Sequence, residues 1–130
     1  MDFSLEFLTR QLKGKDIRPS YQRIKVLEYL YKKGGHPTAD EIYHELSNDI
    51  PSLSKSTIYN TLYTLVDAGL VHDVEIDKNE NRFDITLSDH GHFQCKACGM
   101  IFNFEITIDQ VPVVGLDQFE ITQKNVYFKG

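Results

Sequence analysis

Residues 89 to 99 read DHGHFQCKACG, placing two histidines, an aspartate and a Cys-x-x-Cys pair within eleven positions. Imidazole, carboxylate and thiolate are the ligands of first-row divalent metals, so metal binding is the first chemistry to consider. His90 and His92 are two apart, and on an extended strand their rings project to the same side. Asp84 lies just upstream in RFDITL, on the face opposite Phe83 and Ile85, and so points away from the apolar layer. Mixed nitrogen and oxygen donors suit iron, manganese or zinc. Spacing alone leaves open the plain alternative of ordinary surface histidines. His36, directly before Pro37, reads locally as a loop residue at a helix entry, and His44 and His72 read as solvated.

Cys95 and Cys98 are the only cysteines. In a reducing compartment such a pair is a metal knuckle or a redox couple before it is a structural disulfide. A redox couple needs its nucleophilic thiolate at a helix N-terminus, whereas this pair runs into the apolar, extended GMIFNF. Cys-Lys-Ala-Cys-Gly therefore resembles half of a tetrahedral zinc site, which needs two further ligands.

The elements that must position these groups follow from periodicity. Phe3, Phe7, Leu8 and Leu12 recur at helical spacing, so an amphipathic helix opens the chain. Pro19 and Ser20 start a second helix, striped by Ile24, Leu27, Leu30 and Tyr31 and stopped at Gly34-Gly35. Thr38-x-x-Glu41 is a capping box for a third, expected to bury Ile42, Tyr43 and Leu46. Ser54 caps a fourth, with Ile58, Leu62, Leu65 and Val66 on its apolar face and Gly69 beyond its end. The short connections read as helix-turn-helix. From Leu70 the period becomes two: LVHDVEID and RFDITL, the latter with Phe83, Ile85 and Leu87 inward, flank the turn KNEN. A hairpin directly after a recognition helix is the wing of a winged-helix domain. The remainder reads as three or four short strands around a helical or looped segment near 109–117, and is too short to bury much core without a partner chain or a metal.

The net charge of −5 excludes a uniformly basic nucleic-acid binder, but the distribution is uneven. Residues 10–60 carry nine Lys/Arg against six Asp/Glu, and residues 61–130 carry five against eleven. A basic half is what local phosphate contact requires. On the fourth helix, the face opposite the apolar stripe shows Lys55, Ser56, Thr57, Tyr59, Asn60, Tyr63 and Thr64, groups able to reach base edges and thymine methyls. Lys55, Arg18 and Arg23 are placed for phosphates or a minor groove. No apolar run approaches membrane-spanning length and no leader is apparent, so a cytoplasmic protein without membrane contact is expected.

Together, RPSYQR, HPTADEIY, PSLSKSTIYNTL, AGLV, RFD, DHGHFQCKACG and IFNF, in this order and spacing from about Arg18 to Gly130, resemble the ferric uptake regulator superfamily, and within it the peroxide-responsive branch. The resemblance implies an α+β protein: a winged helix-turn-helix DNA-binding domain at 1–80, then a small α/β dimerisation and metal-binding domain at 81–130 that is incomplete at its C-terminus. It implies a homodimeric, cytoplasmic repressor on a palindromic double-stranded operator. The implied DNA contacts are Arg18, Arg23, Lys55, Ser56, Thr57, Tyr59 and Asn60. A regulatory Fe(II) or Mn(II), with Zn(II) as the alternative, is implied on His36, Asp84, His90 and His92. Asn103 stands where peroxide-responsive members carry an aspartate as fifth ligand; its amide oxygen can coordinate, but it is neutral. Cys95 and Cys98 would hold a structural Zn(II) if a second Cys-x-x-Cys pair follows Gly130. Gln123 and Lys124 stand where some members have a further histidine-bearing site.

Three alternatives compete. One is a reversible iron, zinc or manganese level sensor of the same family without peroxide chemistry. Another is a winged-helix protein whose metal is purely structural. The third is a small metal-dependent hydrolase on His90, His92 and Asp84, for which no general base stands out and which would leave the helix-turn-helix idle; a regulator rather than an enzyme is expected.

Overall fold

The computed structural model describes residues 4–76, 80–85 and 89–130. Phe3, the Lys78 and Asn79 part of the KNEN turn and Leu87 lie outside the described residues. The chain divides into two compact units, Met1–Thr86 and Leu87–Gly130. β2 belongs to the first unit because its backbone pairs there.

The first unit contains helices α1 (Leu5–Lys13), α2 (Tyr21–Lys33), α3 (Ala39–Leu46) and α4 (Lys55–Asp67), then strands β1 (His72–Val74) and β2 (Arg82–Asp84). Each helix begins at a hydroxyl cap: Ser4, Ser20, Thr38 and Ser54 accept from Phe7, Arg23, Glu41 and Thr57 N–H respectively. α4 ends in a Schellman turn, with Gly69 N–H donating to the Val66 carbonyl, Leu70 N–H to that of Leu65, and Gly69 at φ 78°. The core is drawn from all four helices and the wing, with Leu8, Leu12, Val26, Leu27, Ile42, Ile58, Leu62, Leu65 and Phe83 almost fully buried. Val26 and Thr61 are buried although the apolar stripes omit them, and Tyr43 is only half-buried. These shifts reflect α2 packing against α1, α3 and α4, and α4 against α2 and α3, which widens each buried arc beyond one stripe. β1 and β2 form the antiparallel wing with Asp73 opposite Phe83.

β2 has a second neighbour. Thr38 bridges to Arg82, Phe83 N–H donates to the Pro37 carbonyl (2.9 Å), and Arg82 donates to the His36 carbonyl (3.2 Å). The segment entering α3 is thus held along the wing's inner strand.

The second unit holds β3 (His90–Gln94), β4 (Ile101–Glu105), a 3-10 turn at Ile108–Gln110 and β5 (Tyr127–Lys129). Its sheet order is β4-β3-β5, antiparallel between β3 and β4 and parallel between β3 and β5. Among the described residues no apolar side chain of this unit is buried, while Phe102, Phe119, Phe128 and Val114 are exposed. A sheet with this little enclosed apolar area does not stabilise itself.

Candidate metal centre and nucleic-acid face

In the first unit, the backbone bonds between the α3 entry and β2 bring His36 to Asp84. His36 Nε2 lies 3.3 Å from Asp84 Oδ2, with the two side chains 9% and 2% exposed. Asp84 does leave the Phe83 face, but it is buried rather than directed to solvent. A carboxylate withdrawn from water requires a charged or hydrogen-bonding partner, and a divalent ion is the strongest available.

In the second unit, His90 and His92 share one face of β3 as their spacing requires. Their Nε2 atoms are 3.1 Å apart and the ring centroids 4.5 Å apart. Two nitrogens bound to one metal at about 2.0–2.1 Å stand roughly 3–3.5 Å apart, so the pair has the separation of donors to a shared ion. β4 lies in register alongside: Asn103 faces His92 and Glu105 faces His90. Opposed residues of an antiparallel pair share a face. The reverse face is aromatic, with Phe93 near Phe102 (6.4 Å) and Phe104 stacked on Phe128 (4.8 Å). Glycine at position 91 lets the Phe104 ring lie over β3 between the histidines, where a Cβ would run into it. Sequence reasoning missed Glu105; only counting back from the tight Cys95–Cys98 turn pairs it with His90.

Cys95 and Cys98 are free thiols at the β3–β4 turn, closed by bonds from Cys95 N–H to the Met100 carbonyl and Gly99 N–H to the Cys95 carbonyl. Gly99 takes φ 74°. The backbone amides of Cys98 and Ala97, then the Cys98 side chain, hold the Cys95 thiol below its ordinary pKa. The turn thus supplies the N–H donors that sequence reasoning reserved for a helix N-terminus, and it favours the thiolate that metals bind. Gly130 lies beside this knuckle, its carbonyl accepting from Lys96 N–H at 2.7 Å.

The residues expected to read DNA fall into two groups. Arg18, Arg23, Thr57 and Asn60 line one cleft of about 310 Å³ with Ser20, Gln22 and Thr61. Thr57, Asn60 and Thr61 sit at helical i, i+3 and i+4 spacing, and the Arg23 guanidinium donates to the Arg18 carbonyl at 3.1 Å. Lys55 is elsewhere: its ammonium lies 3.7 Å from Asp40 and 5.6 Å from the Tyr43 ring centroid. Ser56 and Tyr59 are exposed on α4 and do not line the cleft. Tyr63 is turned to the wing, accepting from Asn81 (3.4 Å) and meeting Phe83 edge-on.

Known proteins place this architecture. The profile of the ferric uptake regulator family matches residues 14–128. The peroxide-responsive repressor PerR of Staphylococcus aureus (strain Mu50) is 39% identical over 105 residues, covering 81% of this chain and 71% of that protein. The ferric uptake regulator of Helicobacter pylori, whose structure reveals three functional metal-binding sites, superposes with a TM-score of 0.73 at 27% identity, over 96% of this chain and 86% of that one. The Campylobacter jejuni peroxide stress regulator shares the fold, with a TM-score of 0.67 at 24% identity over 100% and 96% of the two chains. From a family profile spanning nearly the whole chain, this winged-helix fold and its histidine-carboxylate groups, the chain belongs to the ferric uptake regulator family.

Proposed function

We propose that this protein is a metal-dependent, peroxide-responsive transcriptional repressor. One divalent ion, Fe(II) or Mn(II), would be held by His36 and Asp84 of the first unit and His90 and His92 of the second, with Asn103 on the His92 face. The observation that carries this reading is the pair of half-sites, one in each unit, each with its donors gathered at about 3 Å. Neither half has enough ligands alone, so an ion binding both favours one arrangement of the units. That preference is a differential binding free energy, and it sets how far the equilibrium shifts.

Bound to DNA, the chain would act as a homodimer, a state favoured by the exposed apolar side chains of the second unit. Arg18 and Arg23 would meet phosphate while Thr57, Tyr59 and Asn60 face base edges of a two-fold operator. Lys55 would contact DNA only by giving up Asp40. Ferrous iron, when bound, would activate hydrogen peroxide for cleavage of its O–O bond. A histidine ring would take up one peroxide oxygen at carbon while the other leaves as water, and a ring altered in this way would hold the ion less well and so weaken operator binding. Cys95 and Cys98 would contribute two thiolates to a structural Zn(II).

Anaerobic loading with Fe(II), a small addition of peroxide and peptide mass spectrometry test this reading. One added oxygen on a peptide containing His36 or His90–His92, absent from a Mn(II) control, is expected. Iron bound with no added oxygen would instead make the protein a reversible metal-level sensor.

A further inference from the structure

Glu105 faces His90 across the β3–β4 ladder, as Asn103 faces His92. All four side chains occupy the face opposite the phenylalanines, and directly opposed Cβ atoms of an antiparallel pair stand only about 4.5–5.5 Å apart. Glu105 is exposed at the end of an edge strand, so its carboxylate can turn toward the His90 and His92 nitrogens without disturbing packed neighbours.

Charge gives that movement a reason. With neutral histidines, a divalent ion on His36, Asp84, His90, His92 and Asn103 meets one carboxylate and keeps one net positive charge. An amide oxygen does not neutralise it, and a charge withdrawn from water is costly unless compensated. A second carboxylate balances the ion, and hard oxygen donors suit Mn(II) and Fe(II). On the proposed metal site, we infer that Glu105 is a further ligand of the regulatory ion, supplying from two residues along β4 the negative charge that Asn103 lacks.

The inference rests on the metal-site reading, and one series separates their failures. Mn(II) affinity of the full chain is measured by competition with a fluorescent chelator, at low salt and at high salt, where through-space attraction between exposed charges is screened but a ligand bond is not. The variants are Glu105→Gln, His92→Ala, Asn103→Asp/Glu105→Gln, and Asp117→Asn as a surface-charge control. Glu105→Gln is expected to weaken Mn(II) binding by about tenfold or more at both salt concentrations, the scale seen when groups supporting a metal site are removed. The double variant should recover most of the loss, and Asp117→Asn should change nothing. Glu105→Gln within twofold of wild type while His92→Ala loses binding overturns the Glu105 role and leaves the metal site standing. A Glu105→Gln effect that vanishes at high salt also overturns it, as a field effect. Unchanged affinity in His92→Ala overturns the metal-site reading and the Glu105 ligand with it.

Discussion

Cys95 carries its chemistry in its immediate surroundings. The amides of Cys98 and Ala97 stabilise its thiolate, so the pKa falls and the reactive form is present at lower pH than for an ordinary thiol. In metal-free protein, iodoacetamide labelling of Cys95 followed by peptide mass should show a pH midpoint below the usual thiol value of about 8.5; a midpoint at or above it would refute this electrostatic account. The common face of His90 and His92 is legible in the sequence, because alternation on a strand is a local property. The contact of His36 with Asp84 is not, because it depends on Phe83 N–H finding the Pro37 carbonyl 46 positions away.

β3 shows how an element builds a site with both of its faces. One face packs the Phe93 ring and the other presents the His90 and His92 imidazoles, and Gly91 stands between the two histidines where the Phe104 ring covers it. Gly91→Ala would drive a methyl into a ring already stacked on Phe128 at 4.8 Å. Overpacking of this kind costs about 1–3 kcal/mol. Urea unfolding should therefore show a lower midpoint with an unchanged slope; a wild-type midpoint would mean that the ring yields freely. Helix starts are legible from Ser20, Thr38 and Ser54, since capping is decided within four residues. The cleft that joins Arg18 and Arg23 to Thr57 and Asn60 is not, because it comes from α2 packing on α4.

The whole molecule separates a mildly basic N-terminal half from an acidic half that holds His90 and His92. If Arg23 meets phosphate, Arg23→Ala should weaken binding similarly across DNA sequences and reduce the slope of log affinity against log salt by about one. An unchanged slope, measured by anisotropy titration at several salt concentrations, would remove Arg23 from the interface. Composition reveals the charge gradient, and ordered motifs reveal the family. The cross-strand partners of His90 and His92 become visible only once the register is fixed.

The proposed function couples metal occupancy to operator binding. Its most direct measurement is the dissociation constant for one duplex, selected from a random library with Mn(II)-loaded protein, compared between that form and the same protein stripped by a chelator. Coupling of ordinary allosteric size predicts binding about 5- to 150-fold tighter with Mn(II). Equal dissociation constants in the two states, with Mn(II) binding verified, would rule that coupling out.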